Sequence, residues 1–554
     1  MTRSAGKSPG DHVTSGYCGY SGANGCGRTA ISLDDDVADN QFWLNVGVVR
    51  DVAHELGTVL GQGRIQGVGA FDRRPPHTRV FAAGHGAGTP AVTCLPQRFS
   101  KHRHVLGRVV VHVEVRIVGL RVQDRESNHA VSIADQVSPA GPQAAYARTV
   151  RMLDTFRSVV QFRKFELDPV ARRLRKAITV DDMRTIAKRR LPRGVFDYID
   201  GGAEDERSLA RNVAGFSKLE FIPNVLRDVS QIDTSTVLFG KRVSLPLMLA
   251  PTGYTRLTHS QGELSVARAA ARAGLPYSLS TMSTRSIEEV AAVSDGNKWF
   301  QVYTWKDRGL VKELVGRAAA AGYDGLWLTV DTAVLGRRER DVRRGFSIPP
   351  QIGPGTIIDG IVHPAWTLDF LTHEPLTFAN VAHHQGHGSA DNIPMAEHVM
   401  QNFDQKLSWS DVDWLRSIWD GPLMLKGIQS VGDAERAVDS GVEGIALSNH
   451  GGRQLDDAPT PIELVESVAQ VVQGRSTIIV DGGVRRGSDI VKAIALGADA
   501  CSIGRAYLYA MGAAGERGVD QMLTYMKQGV ERTMALTGRT SISEIDRDLV
   551  RWRS

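Results

Sequence analysis

The sequence predicts an α/β protein, a (β/α)8 TIM barrel with a helical lead-in at its N-terminal side and a long insertion after its fourth strand. Three observations carry this expectation. Between residues 246 and 508, eight short apolar runs alternate with segments of helical pattern, the grammar of a parallel sheet wrapped by helices. The first run is not followed by the Gly-x-Gly-x-x-Gly turn of a dinucleotide-binding open sheet. Nearly every run ends in polar residues, as a barrel with its chemistry at the C-terminal ends of its strands demands.

The elements follow in order along the 554 residues. Residues 1–150 are rich in Gly, Arg and His, show strand-like alternation only around 109–122, and contain no recognisable domain. The expectation there is a low-order extension, or an over-long reading of the gene with Met152 as the working start; the functional unit is expected over 160–550. Thr179 followed by Asp182 resembles a capping box, and Val180, Met183, Ile186 and Ala187 share one helical face before Leu191-Pro192 stops the helix. The barrel strands are expected at 246–250, 276–280, 299–303, 325–330, 422–426, 444–448, 477–480 and 500–503. Helical segments between them include 263–273, 310–321, 434–438 and 489–496.

Composition narrows the function. No run of eighteen apolar residues exists and the N-terminus lacks a signal-peptide core, so a cytoplasmic protein is expected, with peripheral contact to the inner face of the membrane as an option. The net charge of +5 is spread along the chain, which argues against a nucleic-acid partner. Cys18, Cys26, Cys94 and Cys501 have neither metal-ligand spacing nor a disulfide pattern, so no metal is expected and Cys501 reads as a small core residue.

The strand tips then specify the chemistry. The run at 444–448 ends in Ser448, Asn449, His450, Gly451, Gly452 and Arg453, placing a proton acceptor and an anion clamp at one tip. Gly482-Gly483 with Arg485, and Gly504 with Arg505, occupy the seventh and eighth tips, where barrels favour a phosphate. Gly253, Ser280, Gln301 and Thr329 suit the polar edge of a flat ring, and Lys426 adds a positive charge that favours a ring gaining negative charge on reduction. FMN meets that demand. Tyr198, taken from its own segment alone, reads as a packed aromatic.

These residues also carry a resemblance. Ser-Asn-His-Gly-Gly-Arg-Gln-Leu-Asp (448–456), Asp-Tyr-Ile-Asp-Gly-Gly-Ala-Glu-Asp-Glu (197–206), Ala-Pro-Thr-Gly (250–253), Phe-Gln-Val-Tyr (300–303), Leu-Thr-Val-Asp-Thr (328–332), Leu-Lys-Gly-Ile (425–428), Asp-Gly-Gly-Val-Arg-Arg-Gly (481–487) and Ile-Gly-Arg (503–505) occur in the order of the FMN-dependent α-hydroxy acid dehydrogenase and oxidase family, which the sequence resembles from about residue 162 to 545. The resemblance implies His450 as the base, Asp331 as the carboxylate that holds its imidazole, and Arg338, Arg453, Tyr198 and Tyr303 as substrate ligands, which overturns the packing preference for Tyr198. It implies that Gly253, Ser280, Gln301, Thr329, Lys426 and Ser448 line the flavin, while Asp481, Gly483, Arg485, Gly504 and Arg505 serve its ribityl chain and phosphate.

The implied reaction is oxidation of a small L-2-hydroxy acid, L-lactate first, with electrons passed to quinone or another acceptor by a homo-oligomer, commonly a tetramer in this family. An O2-using 2-hydroxy acid oxidase, an FMN barrel of another reaction class and a catalytically silent scaffold are the alternatives; the intact His450 and Lys426 count against the last. A haem domain is not expected, since 1–150 lacks His-Pro-Gly-Gly, and Arg453 favours a small acid over a peptide. Two departures bear on the substrate. Met282 stands where glycolate oxidases often have a bulky aromatic. The insertion between Arg338 and Leu407 carries His363, Pro364 and Trp366, similar to membrane-associated L-lactate dehydrogenases, and reads as a bilayer contact or as a lid.

Overall fold

The computed structural model describes residues 166–344, 353–381 and 402–553; the expectations for residues 1–150 and Met152 lie outside them, as do 345–352 and 382–401 of the insertion. Eight parallel strands close into a barrel: β1 (Leu247–Leu249), β2 (Tyr277–Ser280), β3 (Lys298–Val302), β4 (Gly325–Thr329), β5 (Leu423–Ile428), β6 (Gly444–Ser448), β7 (Thr477–Asp481) and β8 (Ala500–Ile503). Each follows its predecessor around the barrel, and β8 pairs with β1 to close it. All eight expected strands are present. The largest shift is at β5, which runs two residues past its expected end because a register irregularity between Lys426 and Ile428 extends the pairing.

The two-residue period of a strand sorts its side chains. Met248, Trp299, Trp327, Met424, Ala446, Ile479 and Ala500 form one buried cluster, the barrel interior, with Leu238, Val243 and Phe239 of an antiparallel hairpin packed against it. Their sequence neighbours Leu247, Leu249, Phe300, Leu326, Leu328, Leu425 and Ile445 belong to the larger core shared with the helices. Cys501 falls in that larger core, fully buried, as expected. Two residues further along the interior face of β3 to β8 stand Gln301, Thr329, Lys426, Ser448, Asp481 and Ser502. The alternation that fills the barrel with apolar side chains thus also puts its polar ones at the C-terminal mouth.

Among the described residues, four helices lead in: α1 (Pro169–Leu174), α2 (Val180–Arg190), α3 (Arg193–Asp200) and α4 (Arg207–Ser217). Thr179 caps α2 by accepting from the Asp182 N–H. The return bond of a capping box goes instead from the Ile178 N–H to Asp182. Barrel helices α5 (Gly262–Arg272), α6 (Ile287–Val293) and α7 (Arg308–Ala320) follow the first three strands. The insertion contributes α8 (Glu339–Arg344), α9 (Pro354–Val362) and α10 (Pro364–Leu371), and α11 (Ser410–Arg416) returns the chain to β5. α12 (Val431–Asp439), α13 (Pro461–Val472), α14 (Gly487–Ala495) and α15 (Arg505–Thr537, kinked at Ala514-Gly515) complete the outer ring.

Candidate active site

The loop after β6 is the centre of the mouth. His450, Gly451 and Gly452 all adopt left-handed backbone conformations, with φ of 57°, 65° and 73°. A left-handed histidine is strained, and the surrounding bonds determine it. Its N–H donates to Ser448 Oγ at 3.0 Å, and the Gly452 N–H donates to Asn449 Oδ1 at 2.9 Å. Asn449 and Asn212 of α4 exchange bonds of 2.7 and 2.8 Å, tying this loop to the lead-in. Asp456 accepts from the Ser208 and Arg207 N–H groups at 2.7 and 3.1 Å and so caps α4, whose own N-cap residue makes no side-chain bond. Gln454 Nε2 donates to the Asp331 and Val334 carbonyls at 2.8 and 3.0 Å, holding the loop after β4.

His450 Nδ1 lies 3.0 Å from Asp331 Oδ1, and the Asp331 side chain is only 2% exposed. The carboxylate accepts from Nδ1–H, which leaves Nε2 with its lone pair. Gly427 makes the approach possible, since a Cβ there would lie 2.7 Å from Asp331 Cβ. Burial opposes ionisation of Asp331, but His450 and the Lys426 ammonium outweigh it and hold the carboxyl below the usual carboxylate range. Burial and Lys426 push the His450 imidazole below its ordinary value, against the pull of Asp331. A neutral imidazole with a fixed tautomer is a poised base.

Arg453 Nη1 donates to the Tyr198 and Gly201 carbonyls at 2.7 and 3.0 Å. Its guanidinium lies over the Tyr198 ring, 5.1 Å from the centroid, and that of Arg338 lies 5.9 Å from the same ring. Burial and the neighbouring Arg338 push the Arg453 pKa down to about 9, still cationic at neutral pH. Arg338 has one carboxylate, Asp341, at 3.9 Å, whereas Arg453 is bonded to neutral carbonyls, and a substrate carboxylate would add negative charge between the two guanidinium groups. Tyr303, whose phenol burial pushes well up, stays protonated and faces the same cavity with Met282 and Phe403.

The other end of that cavity is lined by Lys426, Asp481, Gly482, Gly483, Arg485, Gly504 and Arg505. Here register builds the site. Ser280 pairs with Gln301, Thr329 with Lys426, and Asp481 with both Ser448 and Ser502. Ser280 Oγ donates to Gln301 Oε1 at 2.8 Å, and Gln301 Nε2 to Thr329 Oγ1 at 2.9 Å. Lys426 Nζ lies 3.3 Å from Ser448 Oγ and 3.5 Å from Asp481 Oδ2, while Asp481 accepts from Ser448 and Ser502 at 2.7 and 2.6 Å. Ser280, Gln301, Thr329 and Ser448 are buried behind the cavity wall rather than on it. FMN fits this donor set: Lys426 on the wall, backed by Gln301 and Thr329, would meet a ring, and Arg485, Arg505 and the left-handed Gly482 and Gly483 at the tip of β7 would meet a phosphate.

A closed parallel barrel whose mouth joins an imidazole–carboxylate pair, a buried ammonium and four guanidinium groups defines an enzyme for an anionic substrate and a phosphate-bearing cofactor. The chain belongs to the FMN-dependent dehydrogenase family, whose model matches residues 187–552. A Mycobacterium tuberculosis protein carrying the provisional name L-lactate dehydrogenase is 48% identical over 402 residues, 72% of this chain and 95% of that protein. L-lactate dehydrogenase of Ectopseudomonas mendocina is 42% identical, covering 67% of this chain and 97% of its own length. A crystal structure of (S)-mandelate dehydrogenase, described as a monotopic membrane protein, superposes with a TM-score of 0.64 at 40% identity, covering 68% of this chain and all of that one.

The structure gathers Tyr198, Gly253, Tyr303, Arg338, Lys426, His450, Arg453, Asp481, Gly483, Arg485, Gly504 and Arg505 around one cavity, with Asp331 directly behind His450. Arg505 is also structural, donating to the Ile199, Gly451 and Gly201 carbonyls at 3.0, 2.7 and 2.7 Å. Sequence reasoning passed over Asn212, Tyr254, Leu335 and Phe403, which also line the cavity. Only Tyr254, adjacent to a tip glycine, carried a local signal that could have found it.

Proposed function

We propose that this protein oxidises a small L-2-hydroxy acid, L-lactate first, to the 2-keto acid, and passes the electrons to quinone or another acceptor. The observation that carries the reading is the His450–Asp331 pair at 3.0 Å, beside the Arg453 and Arg338 guanidinium groups gathered over the Tyr198 ring. Arg453 and Arg338 bind the carboxylate, and Tyr198 and Tyr303 orient it and the hydroxyl. His450 Nε2 takes a proton from the substrate, and Asp331 stabilises the resulting imidazolium. FMN, when bound, takes up the two electrons of the oxidation. Lys426 supplies positive charge where negative charge accumulates. The substrate names of the relatives support the lactate assignment, and the catalytic unit is assigned to 160–550. The test is the visible spectrum of the anaerobic holoenzyme on adding L-lactate, glycolate or (S)-mandelate. Bleaching by L-lactate is expected; flavin that none of the three bleaches would contradict the reading.

A peripheral membrane position belongs to the same reading. Among the described residues no helix is long and apolar enough to cross a membrane. α9 and α10 nevertheless expose Ile357, Ile358, Ile361, Val362, Leu368 and Leu371 at 53–71%, and the mandelate dehydrogenase neighbour is a monotopic membrane protein. α10 is at the same time fastened to the barrel: Trp366 Nε1 donates to the Leu257 carbonyl at 2.8 Å, and Asp369 accepts from the Ser260 N–H and hydroxyl at 2.8 and 2.6 Å. A lipid-facing side and a barrel-facing side coexist on this insertion. A homo-oligomer, commonly a tetramer, is proposed on the family resemblance alone.

A further inference from the structure

Tyr254 follows Gly253 at the tip of β1 and lines the same cavity as His450 and Arg453. It is 4% exposed and holds a left-handed backbone with φ of 55°. Such a conformation in a bulky residue is uncommon and has to be enforced. Here the Tyr254 N–H donates to the Met282 carbonyl at 3.1 Å, and the ring is packed from two sides. The Phe378 ring lies 4.3 Å away on one side, and the Tyr198 ring stands edge-on at 6.3 Å. The position is therefore fixed, and with it the phenol oxygen.

That oxygen is buried and has no hydrogen-bond partner. Three other buried phenols have one: Tyr507 donates to the Ala250 carbonyl at 2.8 Å, Tyr509 to Asp200 at 2.7 Å and Tyr323 to the Ile287 carbonyl at 3.0 Å. Leaving a buried hydroxyl unpaired costs about 1–3 kcal/mol, a cost that a ligand oxygen reaching the Tyr254 phenol would remove. Met282, bonded to Tyr254, is the neighbouring wall residue and offers only a flexible thioether. The wall thus combines an adaptable apolar surface with one fixed hydroxyl.

We propose that Tyr254 is a specificity-determining residue, its hydroxyl pairing with an oxygen on the side chain of the bound 2-hydroxy acid. The proposal rests on the 2-hydroxy acid reading and narrows it: L-lactate, whose C3 methyl carries no oxygen, is oxidised but leaves Tyr254 unpaired, and acids with a hydrogen-bonding oxygen on C3 are favoured over isosteric acids that end in methyl. A site built to bond a hydroxyl discriminates strongly against the analogue lacking it, because the protein group is left unpaired.

The test compares L-glycerate with L-2-hydroxybutyrate, which differ by a hydroxyl in place of a methyl group, in the wild-type holoenzyme and in Tyr254→Phe. The readout is the ratio of kcat/KM values within each protein, which normalises for flavin content and folding. Calorimetric dissociation constants for hydroxypyruvate and 2-oxobutyrate give the same comparison without turnover. The expected result is a wild-type ratio favouring glycerate that falls about tenfold in Tyr254→Phe, with a parallel change in the two dissociation constants. A ratio that Tyr254→Phe leaves unchanged, in an enzyme that L-lactate reduces, overturns this assignment alone. A holoenzyme that no 2-hydroxy acid reduces overturns the functional reading and the assignment with it.

Discussion

His450 gathers its properties from its neighbours. Asp331 fixes the tautomer, Lys426 and burial lower the pKa, and a left-handed backbone turns the ring into the mouth. Replacing His450 with Ala should leave the flavin bound and lower kcat by about 10³-fold, the range of a positioned general base. The shift also has a sign in pH. A base acts when deprotonated, so kcat/KM for L-lactate should fall as pH drops through the His450 pKa. Since that pKa is depressed, the acid limb should lie below the ordinary imidazole value of about 6.5; an acid limb above it would contradict the electrostatic picture. Arg453→Met should raise KM about 10–100-fold, the loss of a charge-assisted bond to a carboxylate, and also slow the chemistry, as steady-state kinetics can check.

The elements hold these residues through bonds that cross long stretches of chain. Asp200, at the end of α3, accepts from Arg184 of α2 at 2.5 and 2.8 Å, from Tyr509 of α15 at 2.7 Å and from Arg340 of α8 at 2.9 Å. Burial resists its ionisation, yet Arg184 and Tyr509 prevail and bring its pKa down to about 2. A depressed carboxylate contributes stability that is present above its unfolded pKa and lost as pH falls toward the folded one. Roughly 2 kcal/mol should disappear between about pH 4 and 2, and urea midpoints against pH should show a smaller loss in Asp200→Asn. Strands, tips and the main chemical residues were legible in the sequence because period-two burial and tip chemistry are local signals. The Asn212–Asn449 exchange, the Asp456 cap on α4 and the carbonyl bonds of Arg505 were not, since each joins segments far apart in sequence. Tyr254 was missed for a related reason: its unpaired hydroxyl is defined by Phe378, Tyr198 and Met282, none of which its own segment reveals.

At the scale of the molecule, the insertion after β4 serves two masters. Asp369, Trp366 and the Arg256 guanidinium, which donates to the Glu374 carbonyl at 2.5 Å, fasten it to the loop after β1 and so to the wall that holds Tyr254. Its opposite residues offer apolar surface to solvent. Ile358→Asp with Ile361→Asp should abolish flotation with anionic phospholipid vesicles while turnover with a soluble acceptor stays within twofold, because neither residue lines the cavity. Wild-type protein that fails to float would remove the membrane from the account.

The role of His450 as base is decided by anaerobic rapid mixing of L-lactate with flavin-loaded wild type and with flavin-loaded His450→Ala, followed at the flavin's visible absorbance. Fast bleaching is expected in the wild type, and in the variant bleaching slowed by about 10³-fold with the flavin still bound. Equal rates in the two proteins would contradict that role.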